Sequence, residues 1–221
     1  MSRRLAYKRR VPRKSPYAWL RRVPGIFLAR VMTRPLDEAL PGRSELEYVV
    51  LAEADLAPAY RDRSLHLDPT AVRTAFARGD ACVGAFDAGR LVGYLWYSYA
   101  ATPHAGRVWV DVPAHARYAY KAFLLPEYRG RGLGEEMYTS AGAVCPRAGR
   151  SIGITYVLVD NVASTIAAQR AGWRSVGFAG YWEKAGAFCG FRTPGALRAG
   201  FRFWRRQPAV RARRILGPVP G

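Results

Sequence analysis

Apolar positions fall in short dense runs separated by turn residues, and the elements follow from that spacing. Ala81–Phe86 and Leu91–Tyr99 flank Asp87-Ala88-Gly89-Arg90; a glycine turn between two apolar runs predicts a β-hairpin. Upstream, Glu47–Ala52 reads as a strand. Two short helical pieces follow, at Leu56–Arg63 and at Pro69–Arg78, the second opening on Asp68-Pro69. Downstream, a short strand is expected within 107–112 and a ring-rich strand over 118–125. Then come a helix over 134–147, a strand over 152–159, a helix over 162–171 and a last strand over Arg174–Trp182.

Near the start, Ser15-Pro16 has the form of a helix N-cap followed by its first residue. Trp19, Leu20, Val23, Ile26, Phe27, Leu28, Val31 and Met32 alternate loosely with Arg21, Arg22, Arg30 and Arg34. This pattern predicts a short amphipathic helix, broken at Pro24-Gly25. It suits a helix packed on the domain, one lying on an anionic membrane surface, or an organellar presequence. No run approaches the roughly 20 apolar residues that span a bilayer. The last residues, Gly217-Pro218-Val219-Pro220-Gly221, predict no regular structure.

Charge divides the chain into three. The formal net charge is +19, yet residues 1–36 hold eleven Lys/Arg and no acid, and 192–221 hold eight Arg and no acid. Residues 37–191 are balanced, at 16 basic and 16 acidic. The expected organisation is a basic N-terminal extension over 1–44 with residues 1–14 as a disordered arm, a domain over 45–190, and a basic C-terminal tail over 191–221. Basic ends suit an anionic partner, nucleic acid or a membrane surface, or simply solubilise the chain. The aromatic and basic Phe201–Arg206 is the best sequence feature for nucleic acid. Cys82, Cys145 and Cys189 form no paired spacing, which points to a reducing, cytoplasmic setting. His66, His104 and His115 are equally scattered, so no metal site is expected.

Chemistry concentrates in Tyr118–Gly134, YAYKAFLLPEYRGRGLG. A strand ends at Pro126, Gly130, Gly132 and Gly134 alternate with Arg131 and Leu133, and a helix begins. Strand, glycine turn and helix N-terminus together hold polyphosphates, because glycines admit close approach and the first helical N–H groups point outward. Arg129 and Arg131 can add charge-assisted bonds. A plain turn and cap is the simpler use of the same residues. Neither the Walker loop nor the dinucleotide fingerprint fits.

The segment resembles the acetyl-CoA motif of the GCN5-related N-acetyltransferases (GNAT): Arg129, Gly132 and Gly134, after Pro126-Glu127-Tyr128. Asp160-Asn161, Ser164 and Gly172-Trp173 resemble the family's second segment, and the likeness covers roughly 46–190. It implies an α+β, mixed α/β, GNAT-like fold: a mixed central sheet flanked by helices, with CoA entering between the central strands. It implies acetyl-CoA as acyl donor and an amine of a small molecule or peptide as acceptor. The pyrophosphate would rest on backbone N–H groups of Gly130, Arg131, Gly132, Leu133, Gly134 and Glu135. Ala122, Phe123 and Leu124 would pair with the pantetheine arm, and Asn161 and Ser164 would contact the cofactor or cap a helix.

Where many family members carry a proton-donating Tyr, seven residues after the Asn, this chain has Ala168. The base is open. Tyr156 and Tyr120 are the catalytic candidates, with Asp111, His115 and Glu47 behind them and a water chain as the alternative. Tyr94, Trp96, Tyr97, Tyr99, Trp109, Tyr118, Tyr120, Tyr181 and Trp182 suggest an aromatic or sugar-like acceptor, or a long acyl chain. Two other functions remain open: a non-catalytic CoA-binding module, and a nucleic-acid-binding protein that works through its basic ends.

Overall fold

The apolar runs become strands. The computed structural model describes residues 19, 23–37 and 44–206, so the expected arm over 1–14 and the end of the tail lie outside the described residues. The strands are β1 Ile26–Pro35, β2 Glu47–Leu51, β3 Ala81–Asp87, β4 Arg90–Ser98, β5 Thr102–Ala105 and β6 Val108–Asp111. They continue with β7 Ala116–Leu124, β8 Ile152–Leu158, β9 Arg174–Lys184, β10 Ala187–Arg192 and β11 Arg202–Arg205. The helices are α1 Glu53–Leu56, α2 Pro69–Ala77, α3 Leu133–Glu136, α4 Gly142–Val144, α5 Val162–Arg170 and α6 Pro194–Arg198. A π turn, Met137–Ala141, joins α3 to α4.

Eight strands form one mixed sheet in the order β10-β9-β1-β8-β7-β4-β3-β2. All neighbours are antiparallel except β7 and β8, which run parallel. A second sheet, β11-β6-β5, lies over part of the first. The hairpin β3–β4 turns through Ala88 and Gly89, both at positive φ (47° and 80°), a geometry whose twist matches that of the flanking strands. Asp68 caps α2 by accepting from the amides of Thr70 (3.1 Å) and Ala71 (3.2 Å), with Pro69 in the first turn.

The helix after the glycine turn stops at Cys145-Pro146, where proline cannot continue it. Its terminal carbonyls need partners. Buried Arg117 supplies them: Nη1 donates to the Cys145 carbonyl at 2.7 Å and Nη2 to that of Gly142 at 2.9 Å.

Two expectations fail. The predicted amphipathic helix is in part a strand: Ile26–Pro35 is β1, hydrogen-bonded in the sheet interior between β8 and β9. An interior strand buries both faces and reads as a nearly continuous apolar run, which periodicity cannot tell from a helix. Pro24-Gly25 is the turn that starts it, with Gly25 at φ 79° and its carbonyl accepting from Glu183 N at 2.8 Å. The segment expected as a C-terminal tail also contains regular structure: β10 runs to Arg192, α6 follows, and β11 joins the second sheet.

Three apolar clusters fill the layers. On one face the α3–α4 segment and α5 pack over Leu95, Tyr97, Ala119 and Trp173. On the other, α1 and α2 cover Cys82, Tyr94 and Trp96. Beside them the small sheet covers β1, β8 and β9 through Val108, Val110, Phe201 and Phe203. Among the described residues no helix is long and apolar enough to cross a membrane.

Candidate functional site

The site begins where two parallel strands stop pairing. β7 and β8 are in register only from Ala116↔Ile152 to Ala119↔Thr155. Beyond that, β7 follows β4, with Phe123 opposite Tyr94, while β8 follows β1, with Leu158 opposite Ala29. The sheet therefore splits into a V whose two arms are each held by an antiparallel neighbour.

A bulge re-aims the β7 arm. Tyr120 pairs with Trp96 and Phe123 with Tyr94, so Lys121 and Ala122 together oppose Leu95. Lys121 takes up the extra residue at φ 52°. Bulges bend a strand and turn its side chains, and this one sits at the mouth of the V.

Beyond Leu125, a 3-10 turn over Pro126–Tyr128 leads into the glycine loop. Gly130 and Gly132 have φ of 78° and 91°, and a Cβ on either would meet nothing within 4 Å. Both glycines are thus required by backbone conformation and face open space, so a ligand can approach the main chain. Gly134 differs: a Cβ there would lie 3.4 Å from Ala167, which marks the close approach of α3 to α5.

The loop, the β7 arm and α5 enclose a cavity of about 550 Å³. Ala122, Phe123 and Leu124 form one wall; Arg129, Gly130, Gly132, Gly134 and Glu135 form the loop end. Asn161 and Ser164 line it from the start of α5. Arg129 is fixed there, its Nε donating to the Leu124 carbonyl at 2.8 Å and its guanidinium 5.6 Å from the Phe123 ring centroid. Asn161 also caps its helix, its side chain accepting from Ser164 N at 3.1 Å.

Other candidates lie elsewhere. Arg131 does not line the cavity; it pairs with Glu45 at 3.6 Å on the exposed side of the loop. Leu133 points into the core, 2% exposed. Ala168, on the core side of α5, is fully buried, and no hydroxyl stands at that position.

Tyr120 and Tyr156 do not line the cavity either. The Tyr120 hydroxyl donates to buried Asp80, and Arg78 Nη2 donates to that hydroxyl at 3.3 Å. Burial, and then the Asp80 carboxylate, raise its pKa. The Tyr156 hydroxyl lies 2.8 Å from Nδ1 of His104, under the small sheet, and burial raises its pKa too. Burial pushes His104 down to about 4, so this imidazole is neutral at pH 7. Asp111 is in an ion pair with Arg202 at 2.7 Å.

Sequence reasoning missed part of the cavity wall: Met137 and Tyr138 beyond the loop, and Ala163, Ile166, Ala167 and Arg170 on α5. A signal existed. Met137 and Tyr138 lie three and four residues after Gly134, and Ala163, Ile166, Ala167 and Arg170 recur at steps of three and four residues, which is one face of each helix. Burial pushes Tyr138 up to about 12, so its hydroxyl stays uncharged near neutral pH. Among the described residues no group of three His, Cys, Asp or Glu comes together as a metal site would require.

Comparison with known proteins follows from this geometry. A GCN5-related N-acetyltransferase from Sphaerobacter thermophilus matches with TM-score 0.50 at 14% identity, over 76% of this chain and 52% of that one. A GNAT-family protein from Novosphingobium aromaticivorans matches with TM-score 0.47 at 18% identity, over 69% of this chain and 63% of that one. The protein yncA of Salmonella typhimurium, solved with its cofactor acetyl-CoA, matches with TM-score 0.46 at 16% identity, over 73% of this chain and 94% of that one. The chain thus spans less than two thirds of the length of the first two. No curated protein matches. The model of the Acetyltransferase (GNAT) family matches residues 42–173, more than half of the chain, and the chain belongs to that family.

Proposed function

We propose that the protein is an N-acyltransferase that moves an acyl group, acetyl in the first instance, from acyl-CoA to the amine of a small molecule or peptide. One observation carries this: a cavity at the mouth of the V, closed at one end by two positive-φ glycines with open space before them. In this reading the pyrophosphate rests against the loop backbone, and Arg129 adds a charge held in place by its bond to Leu124. The pantetheine runs along Ala122–Leu124. Arg131 serves the loop's outer side rather than the ligand.

The acceptor amine attacks the thioester carbonyl, the C–S bond breaks, and the thiolate leaves. The amine must first lose a proton. Tyr120 and Tyr156 both have raised pKa values and are tied to Asp80 and His104. We therefore assign proton removal to water at the open end of the V, and thiolate protonation to water as well.

The test is calorimetric titration with acetyl-CoA, free CoA and a long-chain acyl-CoA, followed by thiol-release assays across a panel of amines. Micromolar binding lost in Gly132→Trp supports the cradle, and the preferred chain length names the acyl group. No binding by any of the three overturns the reading. Binding without thiol release on any amine selects the non-catalytic CoA-binding module, for which the buried Ala168 is the motivating observation.

A further inference from the structure

A second concave site lies beside β10, the edge strand of the main sheet, with β9, β1 and β8 between it and β7. Phe188, Gly190 and Arg192 alternate onto one face of β10. The edge of the small sheet leans on that face: a Cβ on Gly190 would sit 3.0 Å from the Phe203 carbonyl oxygen of β11. The step between the two sheets encloses about 700 Å³, within the roughly 300–1,000 Å³ of small-molecule sites.

Five arginines from three segments line the step, Arg107, Arg192, Arg202, Arg205 and Arg206, and no acidic residue lines it. Arg202 and Arg205 are neutralised from outside it, by Asp111 at 2.7 Å and Glu183 at 3.8 Å. Among the described residues, Arg107, Arg192 and Arg206 have no carboxylate in ion-pair range. Three of the five are also held by neutral groups. Arg192 Nη1 donates to the Phe201 carbonyl at 3.1 Å, Arg205 Nη1 donates to the Gly186 carbonyl, and the Arg206 guanidinium lies 4.9 Å from the Trp109 ring centroid.

Gathering like charges around one pocket costs Coulomb energy, which an anion inside it would offset. Three guanidinium groups lack a carboxylate, and each presents forked N–H donors suited to tetrahedral oxyanions. One phosphate monoester carries about −1.5 to −2 at neutral pH, too little to match three cations. Carboxylates on an extended peptide are spaced along its chain, whereas joined phosphoryl groups concentrate their charge in a compact volume. We propose that this pocket binds a small ligand with two or three linked phosphoryl groups, gripped by Arg107, Arg192 and Arg206. The site is separate from the acyl-CoA cavity.

The test is calorimetric titration of the full chain with sodium tripolyphosphate at 50 mM salt. The same titration in Gly132→Trp separates the pocket from the glycine loop, and affinity there is expected to stay within twofold. Since 1–36 is also basic, charge alone must be separated from the pocket. Arg192→Lys with Arg206→Lys keeps every charge and removes two forked donors; affinity is expected to fall about fivefold or more. Arg107→Gln with Arg192→Gln is expected to lower it about 20-fold and to abolish the rise in thermal midpoint that the ligand gives. The charge-matched pair Arg61→Gln with Arg63→Gln, remote from the pocket, is expected to change affinity less than twofold. Melting curves without ligand establish that each variant is folded. Adenosine 5′-triphosphate binding as tightly as tripolyphosphate assigns recognition to the phosphates alone; tighter binding that is lost in the Arg107→Gln pair assigns the pocket to a nucleotide. Unchanged affinity in the lysine pair, an equal loss in the remote pair, or loss in Gly132→Trp alone overturns the proposal.

Discussion

The two halves of the main sheet are built on opposite principles. On the β7 side, half of the cavity lining comes from one run, Lys121–Glu135, shaped by backbone: a bulge at Lys121, two glycines at positive φ and a helix start. On the β1–β9 side, the same sheet is held by rings brought together from distant positions. Phe27, His104, Tyr156, Tyr181 and Phe203 lie with ring centroids 4.6–5.9 Å apart across five strands. A loop that holds a ligand must leave space. A ring cluster stabilises by leaving none. The first half is expected to carry affinity and the second stability, and substitutions can separate them.

The largest effect is expected on the ring side. Phe201 is fully buried in the cluster, and Phe201→Ala should lower unfolding stability by about 3–5 kcal/mol through lost burial and a cavity. Acyl-CoA affinity of the folded fraction should stay within twofold; chemical denaturation and calorimetry on the same sample read both. A parallel collapse of affinity in still-folded protein would erase the distinction between the halves.

Next comes Gly132→Trp, which places a side chain in the space before the loop and strains a residue at φ 91°. Binding should weaken on the order of 100-fold, about 2.7 kcal/mol, with a smaller loss of stability. Arg129→Ala should cost about 1.5–2 kcal/mol of affinity, the scale of one charge-assisted bond, and leave the thermal midpoint nearly unchanged. If Arg131→Ala cost as much, the ligand would use the outer side of the loop.

The smallest effect sharpens the comparison from the ring side. Burial depresses His104 to about 4 in the folded chain, below its ordinary 6.5. The unfolded chain therefore binds the extra proton first on acidification. Stability contributed by neutral His104 is present above pH 6.5 and is lost as pH falls toward 4. His104→Phe should flatten the thermal midpoint between those pH values and leave the alkaline side of any activity profile unmoved. A shifted activity profile would place the Tyr156–His104 pair in the proton path.

Legibility follows the same division. The glycine loop, the hairpin turn at Ala88-Gly89 and the Asp68-Pro69 helix start could be read because each depends on residues adjacent in sequence. The cavity wall on α5 was readable in principle, since Ala163, Ile166, Ala167 and Arg170 share a helix face. What could not be read was partnership across the chain. Nothing local to Ile26–Pro35 says that its neighbours are β8 and β9. Likewise nothing local to Tyr156 says that its hydroxyl meets His104 rather than a substrate. Arg131 and Leu133 share the motif with Gly132, but a loop gives its alternate side chains to opposite sides, and the motif does not state which.

The placement of β1 also sets the order of events during synthesis. Ala29 pairs with Leu158 on one edge and with Ala179 on the other. At about 5–20 residues per second, an early strand leaves the ribosome on the order of ten seconds before either neighbour exists. Until then its apolar side chains need temporary cover, from a chaperone or from transient non-native contacts. Conversely, a fragment cut to the family-matched 42–173 would lack the strand that backs the β8 arm of the V. Such a fragment is expected to aggregate through that open edge, so a minimal soluble form has to begin before residue 26.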